Sequence, residues 1–192
     1  MKDKHNKYRR LMIAILFVSF LMVVAMIWYF TSQSIQVSDS TSKYIAKRIE
    51  NTIGEYFVIN LTDQFWRDTL DELVRKGAHF TEYFLLGSIT CALLNVLFRR
   101  GRSAAVISLI ICPIYAGIDE YQQNFVPGRG PRWFDWKMDV FGAISGIIMV
   151  MIVFLIFRYI YKLKARINEL EERQDNQGFS RLEEKVIKKV NI

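Results

Sequence analysis

At 192 residues, with 52% apolar side chains and a mean hydropathy above zero, the chain has the length of one domain and the composition of a membrane protein. Its formal net charge of +7 does not point to nucleic acid, because the basic residues flank apolar runs instead of forming one stripe. Cys91 and Cys112 both fall inside apolar runs, which excludes a disulfide framework or a zinc site defined by spacing.

Residues 1–10 carry Lys2, Lys4, Lys7, Arg9 and Arg10 against Asp3 and lead into an apolar run over residues 11–30. About twenty apolar residues cross a hydrocarbon core as helix. The run is too long for the apolar part of a secretory signal and no Ala-x-Ala follows it, so an uncleaved signal anchor is expected. Three more apolar runs predict spans over residues 79–98, 103–118 and 138–160.

Between the first two spans lies a loop, residues 31–76. It opens with Ser32, Ser34, Ser38, Ser40 and Ser42. Ile45, Ile49, Ile53 and Phe57 then recur every four residues, followed by Phe65, Trp66, Leu70, Leu73 and Val74. Both stretches read as amphipathic helices that lie on the bilayer or cap the bundle. Pro113 predicts a kink in the third span. Gly142 and Gly146, with Ser145 between them, let the fourth approach a neighbour closely. From Lys162 the chain alternates acids and bases around Gly178, including Glu169, Glu171, Glu172, Arg173, Glu183, Glu184, Lys185, Lys188 and Lys189. That pattern is a solvated helix or a partner-binding segment.

The expected fold is an all-α integral membrane protein with four transmembrane helices, an extracytoplasmic amphipathic helical loop and a cytoplasmic helical tail. It divides into a transmembrane domain at 1–161 and a tail at 162–192. Arg99, Arg100 and Arg102 join spans two and three, and Arg158, Lys162, Lys164 and Arg166 follow span four. With the basic N-terminus, these place both termini of a multi-pass membrane protein in the cytoplasm.

That topology gathers the unusual polar residues at the outer end. Lys76, His79 and Glu82 share a helical face, Asp119, Glu120 and Gln123 end span three, and Asp135 and Asp139 open span four. Between spans three and four, Pro127-Gly128 fits a type II turn with glycine in the left-handed position, and Arg129 and Arg132 follow it. Arg129 is the expected clamp for a phosphate or carboxylate, with Lys76 or Arg132 as further countercharge. His79, Glu82, Asp119 and Glu120 are the candidate acid and base groups. Gln123, Asp135 and Asp139 complete the ligand-binding set. An ion-pair network that locks the helix ends is the competing reading. A metal held by His79, Glu82, Asp119, Glu120 and Asp139 is a second alternative. No cofactor is assigned. The expected partners are the bilayer and an anionic ligand, with no nucleic acid.

Three blocks carry a family resemblance: Lys76-Gly-Ala-His79-Phe-Thr-Glu82-Tyr83-Phe-Leu-Leu-Gly87, then Asp119-Glu120-Tyr-Gln-Gln123-Asn-Phe-Val-Pro127-Gly128-Arg129, then Asp135 and Asp139 before Gly142. With Ser-Gln-Ser around Gln33, they resemble the VanZ-like family of bacterial membrane proteins. The resemblance implies a multi-spanning helical protein of the cell membrane and a link to lowered susceptibility to the glycopeptide teicoplanin. Gln122 stands where the family often has histidine, so a mechanism with a second imidazole is not expected. A non-catalytic scaffold that recruits envelope enzymes through the charged tail is the alternative function.

Overall fold

The computed structural model describes residues 2–56, 64–130 and 132–190, and the side chains of 6–52, 68–130 and 132–174. Phe57 lies outside the described residues. The same holds for the side chains of Lys2, Asp3, Lys4, Ile53, Phe65 and Trp66, and for the tail residues Glu183, Glu184, Lys185, Lys188 and Lys189.

Five helices make up the described chain: α1 (Lys2–Thr31), α2 (Ile35–Tyr56), α3 (Gln64–Phe98), α4 (Gly101–Gln123) and α5 (Trp133–Val190). No strand occurs among the described residues. Four stretches are long and apolar enough to cross a membrane: Asn6–Thr31, Asp68–Phe98, Gly101–Gln123 and Trp133–Gln174. Over the first of these only 11% of the most apolar window is buried inside the protein. Leu11, Ile15, Val18 and Met22 all face outward. Apolar side chains on such a face, with every backbone group bonded inside the helix, suit hydrocarbon as solvent.

The amphipathic stretch around Leu70 to Val74 is not a separate surface helix. It forms the opening turns of α3, which runs unbroken into the second span. Gly77 is the one helix-weakening residue there, and a single interior glycine costs about 1 kcal/mol, too little to end a helix that is packed along its length. α2 is the independent amphipathic helix.

The chain divides into two compact units, Met1–Met151 and Ile152–Ile192. In the first, α3 is central and packs against α1, α2 and α4. Its contact with α5 is made by glycines. A Cβ at Gly142 would lie 2.5 Å from the Phe80 carbonyl oxygen, one at Gly146 would fall on the Phe84 carbonyl, and one at Gly87 on that of Ala143. The two glycines four residues apart on α5 thus serve helix packing within the chain. α4 turns Ala104, Ser108, Cys112 and Ala116 inward at four-residue spacing. These small side chains let α4 approach the shared core of Val23, Ile27, Tyr83, Leu86 and Ala143. α4 continues through Pro113, whose carbonyl accepts the Trp136 indole N–H at 3.3 Å.

The last carbonyls of α3 lack intrahelical donors. Arg9 supplies them, reaching Val96 O at 3.3 Å and Leu97 O at 3.1 Å. Arg99 then takes φ 55 to close the helix, its N–H donating to Asn95 O. One end of the unit is therefore the basic segment near Arg9 together with the turn at residues 99–100. The other end carries Thr31 and the link between α4 and α5.

In the second unit, the described side chains Ile160, Leu163, Ile167 and Leu170 are exposed. Arg173 and Glu169 pair one turn apart at 2.8 Å.

Candidate functional site

The inward stripe of α4 changes chemistry in its last turn, where small residues give way to buried Asp119, Glu120 and Gln123. A buried carboxylate needs donors, and Asp119 finds one on α1: the Thr31 hydroxyl donates to its Oδ1 at 2.6 Å. Both residues are almost wholly enclosed, at 1% and 2% exposure. The Tyr83 hydroxyl of α3 lies beside the same carboxylate. Thr31→Val keeps the shape but leaves Asp119 short of a donor. It is expected to cost about 1.5–3 kcal/mol, the range for a hydrogen bond to a charged group, as measured by denaturant-induced unfolding of the detergent-solubilised protein.

Glu120 is turned towards the link. Its Oε2 accepts the Arg132 backbone N–H at 2.9 Å, and its Oε1 accepts from the Gln123 amide at 3.4 Å. It borders a separate surface pocket of 460 Å³ beside Trp133 and Trp136. The link itself opens with the expected turn: the Arg129 N–H donates to Val126 O at 3.1 Å across Pro127 and Gly128. Gly128 takes φ +80, the left-handed value that a type II turn requires at its third residue. The turn rests on α2, since a Cβ at Gly128 would lie 2.8 Å from the Ile35 side chain. This geometry aims Arg129 inward, where it donates at 3.5 Å to the Thr31 carbonyl.

α3 contributes Arg75, His79 and Glu82 at spacings of four and three, one face of a helix. Arg75 meets Asp39 of α2 at 3.4 Å. His79 Nδ1 lies 3.7 Å from Asp139 Oδ1 of α5, an ion pair when the imidazole is protonated. Asp139 is fully buried, and neither of its oxygens has a hydrogen-bond partner. Glu82 Oε2 is also unpartnered.

Two hollows share a wall along this face. The smaller, about 30 Å³, is lined by Ser38, Arg75, His79, Gln123, Arg129, Arg132 and Asp135. It has room for little more than a water-sized group. The larger, 520 Å³, opens between α1, α2 and α3 and shares Ser38, Arg75, His79 and Arg129 with it, adding Glu82. The larger hollow is therefore the one with room for a ligand bigger than water against these cations.

The structure draws His79, Glu82, Gln123, Arg129, Arg132 and Asp135 around these hollows. Asp119 and Asp139 are buried and line neither hollow, and Glu120 holds the link. Lys76 is elsewhere: it pairs with Glu72 and sits 4.5 Å from the centre of the Phe134 ring. The cation that faces the site is its neighbour, Arg75. Sequence reasoning missed Arg75 and Thr31, although Arg75 shares the helical register of His79 and Glu82. Among the described residues, no group of three or more His, Cys, Asp or Glu converges to hold a metal ion.

Arg129 is the unusual charge. It is half-buried, and among the described residues no carboxylate lies within ion-pairing distance of it. Burial, and then the like charge of Arg75, pull its guanidinium below its ordinary pKa. Asp119, Asp39 and Glu82 oppose that shift.

No curated protein matches this chain, nor does any solved structure. A family described as VanZ/LLP1 matches residues 15–157. That stretch includes every candidate site residue from Thr31 to Asp139, and with well over half of the chain covered, the protein belongs to the VanZ/LLP1 family.

Proposed function

We propose that the wall shared by the two hollows binds an anionic, lipid-linked component of the bacterial cell envelope. Modifying or sequestering that component lowers susceptibility to teicoplanin. The reading rests on one observation, a half-buried Arg129 beside Arg75 without a carboxylate at ion-pairing distance. A guanidinium held this way is short of countercharge, and a phosphate or carboxylate would supply it by bidentate hydrogen bonds. The site opens to the exterior and the termini lie in the cytoplasm. Supporting this orientation, Arg9 meets the end of α3 next to Arg99, Arg100 and Arg102, and such basic ends stay inside.

If the ligand is modified, Glu82 and His79 are the acid and base, since both border the larger hollow. Asp119 and Glu120 then act as supports for the helix ends. The test is the teicoplanin inhibitory concentration in a susceptible host at matched membrane levels of protein. His79→Gln and Glu82→Gln are each expected to return it to the empty-vector value, and full protection from both would remove acid–base chemistry from the reading. Deleting everything after Lys164 is expected to leave protection intact. Loss on that deletion, with anion binding preserved, would favour the recruiting scaffold.

A further inference from the structure

The larger hollow has two kinds of wall. Arg75, His79, Glu82 and Arg129 make its polar end, while Met26 and Phe30 of α1, Ile45 of α2 and Val74 and Leu85 of α3 make the rest apolar. Leu85 is six residues beyond His79, so the apolar wall runs roughly 9 Å along α3 away from the cations. Phe30, Ile45 and Leu85 are all more than a third exposed, which leaves the hollow open sideways. α1 and α3 are two of the helices apolar enough to span a membrane. The opening is therefore flanked by two apolar spanning helices, with Met26 and Phe30 in the last turns of α1. At 520 Å³ the hollow is within the usual range for a small-molecule site. A site for a freely diffusing anion would have no use for this apolar side.

The charges favour an anion at the inner end. Three arginines line the smaller hollow against one aspartate, and two arginines line the larger against Glu82. Asp39 offsets Arg75 in part. Arg129 has no carboxylate at ion-pairing distance among the described residues, and Asp119, Asp39 and Glu82 offset its charge only from beyond that distance.

We propose that the hollow is a lateral portal for an amphiphile with a phosphate head group. The phosphate sits between Arg75 and Arg129, and the adjoining hydrocarbon chain lies along Met26, Ile45 and Leu85, entering from the bilayer and not from water. This rests on the anion-binding reading above and adds the ligand's class and its route.

The test uses the full chain in nanodiscs of phosphatidylcholine. One probe is an alkyl phosphate carrying a photoreactive diazirine midway along its chain, and the control is the alcohol of the same length. Inorganic phosphate is measured separately, by the protection it gives Arg129 against phenylglyoxal. The alkyl phosphate is expected to label peptides containing Met26, Ile45 or Leu85 at least about tenfold more than the alcohol does. That is the scale of a charge-assisted hydrogen bond. Arg129→Ala is expected to bring the two probes level. Leu85→Trp, which fills the apolar wall, is expected to lose the labelling while phosphate still protects Arg129.

Equal labelling by both probes, or labelling spread over outward residues such as Ile148, would overturn the portal. So would unchanged labelling in Leu85→Trp. The comparison of probes on the unaltered chain stands even if that variant does not fold. Protection by inorganic phosphate without labelling of the hollow would leave the anion site in place with a soluble ligand and remove the portal. No protection by inorganic phosphate together with no labelling of the hollow would remove both.

Discussion

Arg129→Ala is expected to abolish anion binding without destabilising the protein. The size of the binding loss follows from the chemistry of the contact. A guanidinium that gives two charge-assisted hydrogen bonds to one phosphate loses both on truncation, at about 1.5–3 kcal/mol each. The affinity loss is then on the order of a hundredfold or more. Arg129→Lys restores the charge but not the planar fork, so partial recovery is expected. Phosphate affinity should fall in the order arginine, lysine, alanine, and teicoplanin protection should follow it. Stability separates this reading from an ion-pair lock. Removing one member of a buried pair costs about 3–5 kcal/mol, because its partner is stranded. Arg129 has no carboxylate at ion-pairing distance to strand, and burial and Arg75 act against its charge more than Asp119, Asp39 and Glu82 support it. Its removal should leave the unfolding midpoint unchanged or slightly raised. A fall of several kcal/mol in the unfolding free energy would show that Arg129 is a structural lock, and the anion reading would go with it.

Much of the fold was legible in the sequence because the bilayer imposes a length and a polarity on each span. The turn at Gly128 was legible for a similar reason, since few residues other than glycine follow proline into a positive φ. The continuity of α3 was not. A period of 3.6 residues is the same for a helix lying on a surface and for the first turns of a spanning one, so Leu70, Leu73 and Val74 fit either. The site shows the same limit at finer scale. Neighbouring residues on a helix point about 100° apart, which sends Lys76 to Glu72 and Phe134 while Arg75 faces His79. The spacing of Arg75, His79 and Glu82 contained that answer. The bond from Thr31 to Asp119 has no such trace, because it joins residues 88 apart that only the folded chain brings together.

Gly146→Ala and Gly77→Ala make the same chemical change in two helices and are expected to act in opposite directions. Alanine is favoured over glycine by about 1 kcal/mol in a helix interior, so each substitution should help its helix taken alone. At Gly77 nothing lies within 4 Å of the added carbon. That variant should be neutral or more stable by up to about 1 kcal/mol. At Gly146 the added carbon falls on the Phe84 carbonyl, with the Ser88 hydroxyl at 2.7 Å and its backbone nitrogen at 3.0 Å. The hydroxyl can rotate away, but the backbone cannot, so α5 must move off α3. Overpacking of this kind typically costs about 1–3 kcal/mol. The displacement also reaches the site, because Asp139 sits two turns before Gly146 on the same helix and faces His79 at 3.7 Å. Gly146→Ala should therefore lower the unfolding midpoint and weaken phosphate protection of Arg129 together, while Gly77→Ala lowers neither. If the two variants proved equally stable, α3 and α5 would not meet backbone to backbone, and the placement of Asp139 against His79 would lose its support.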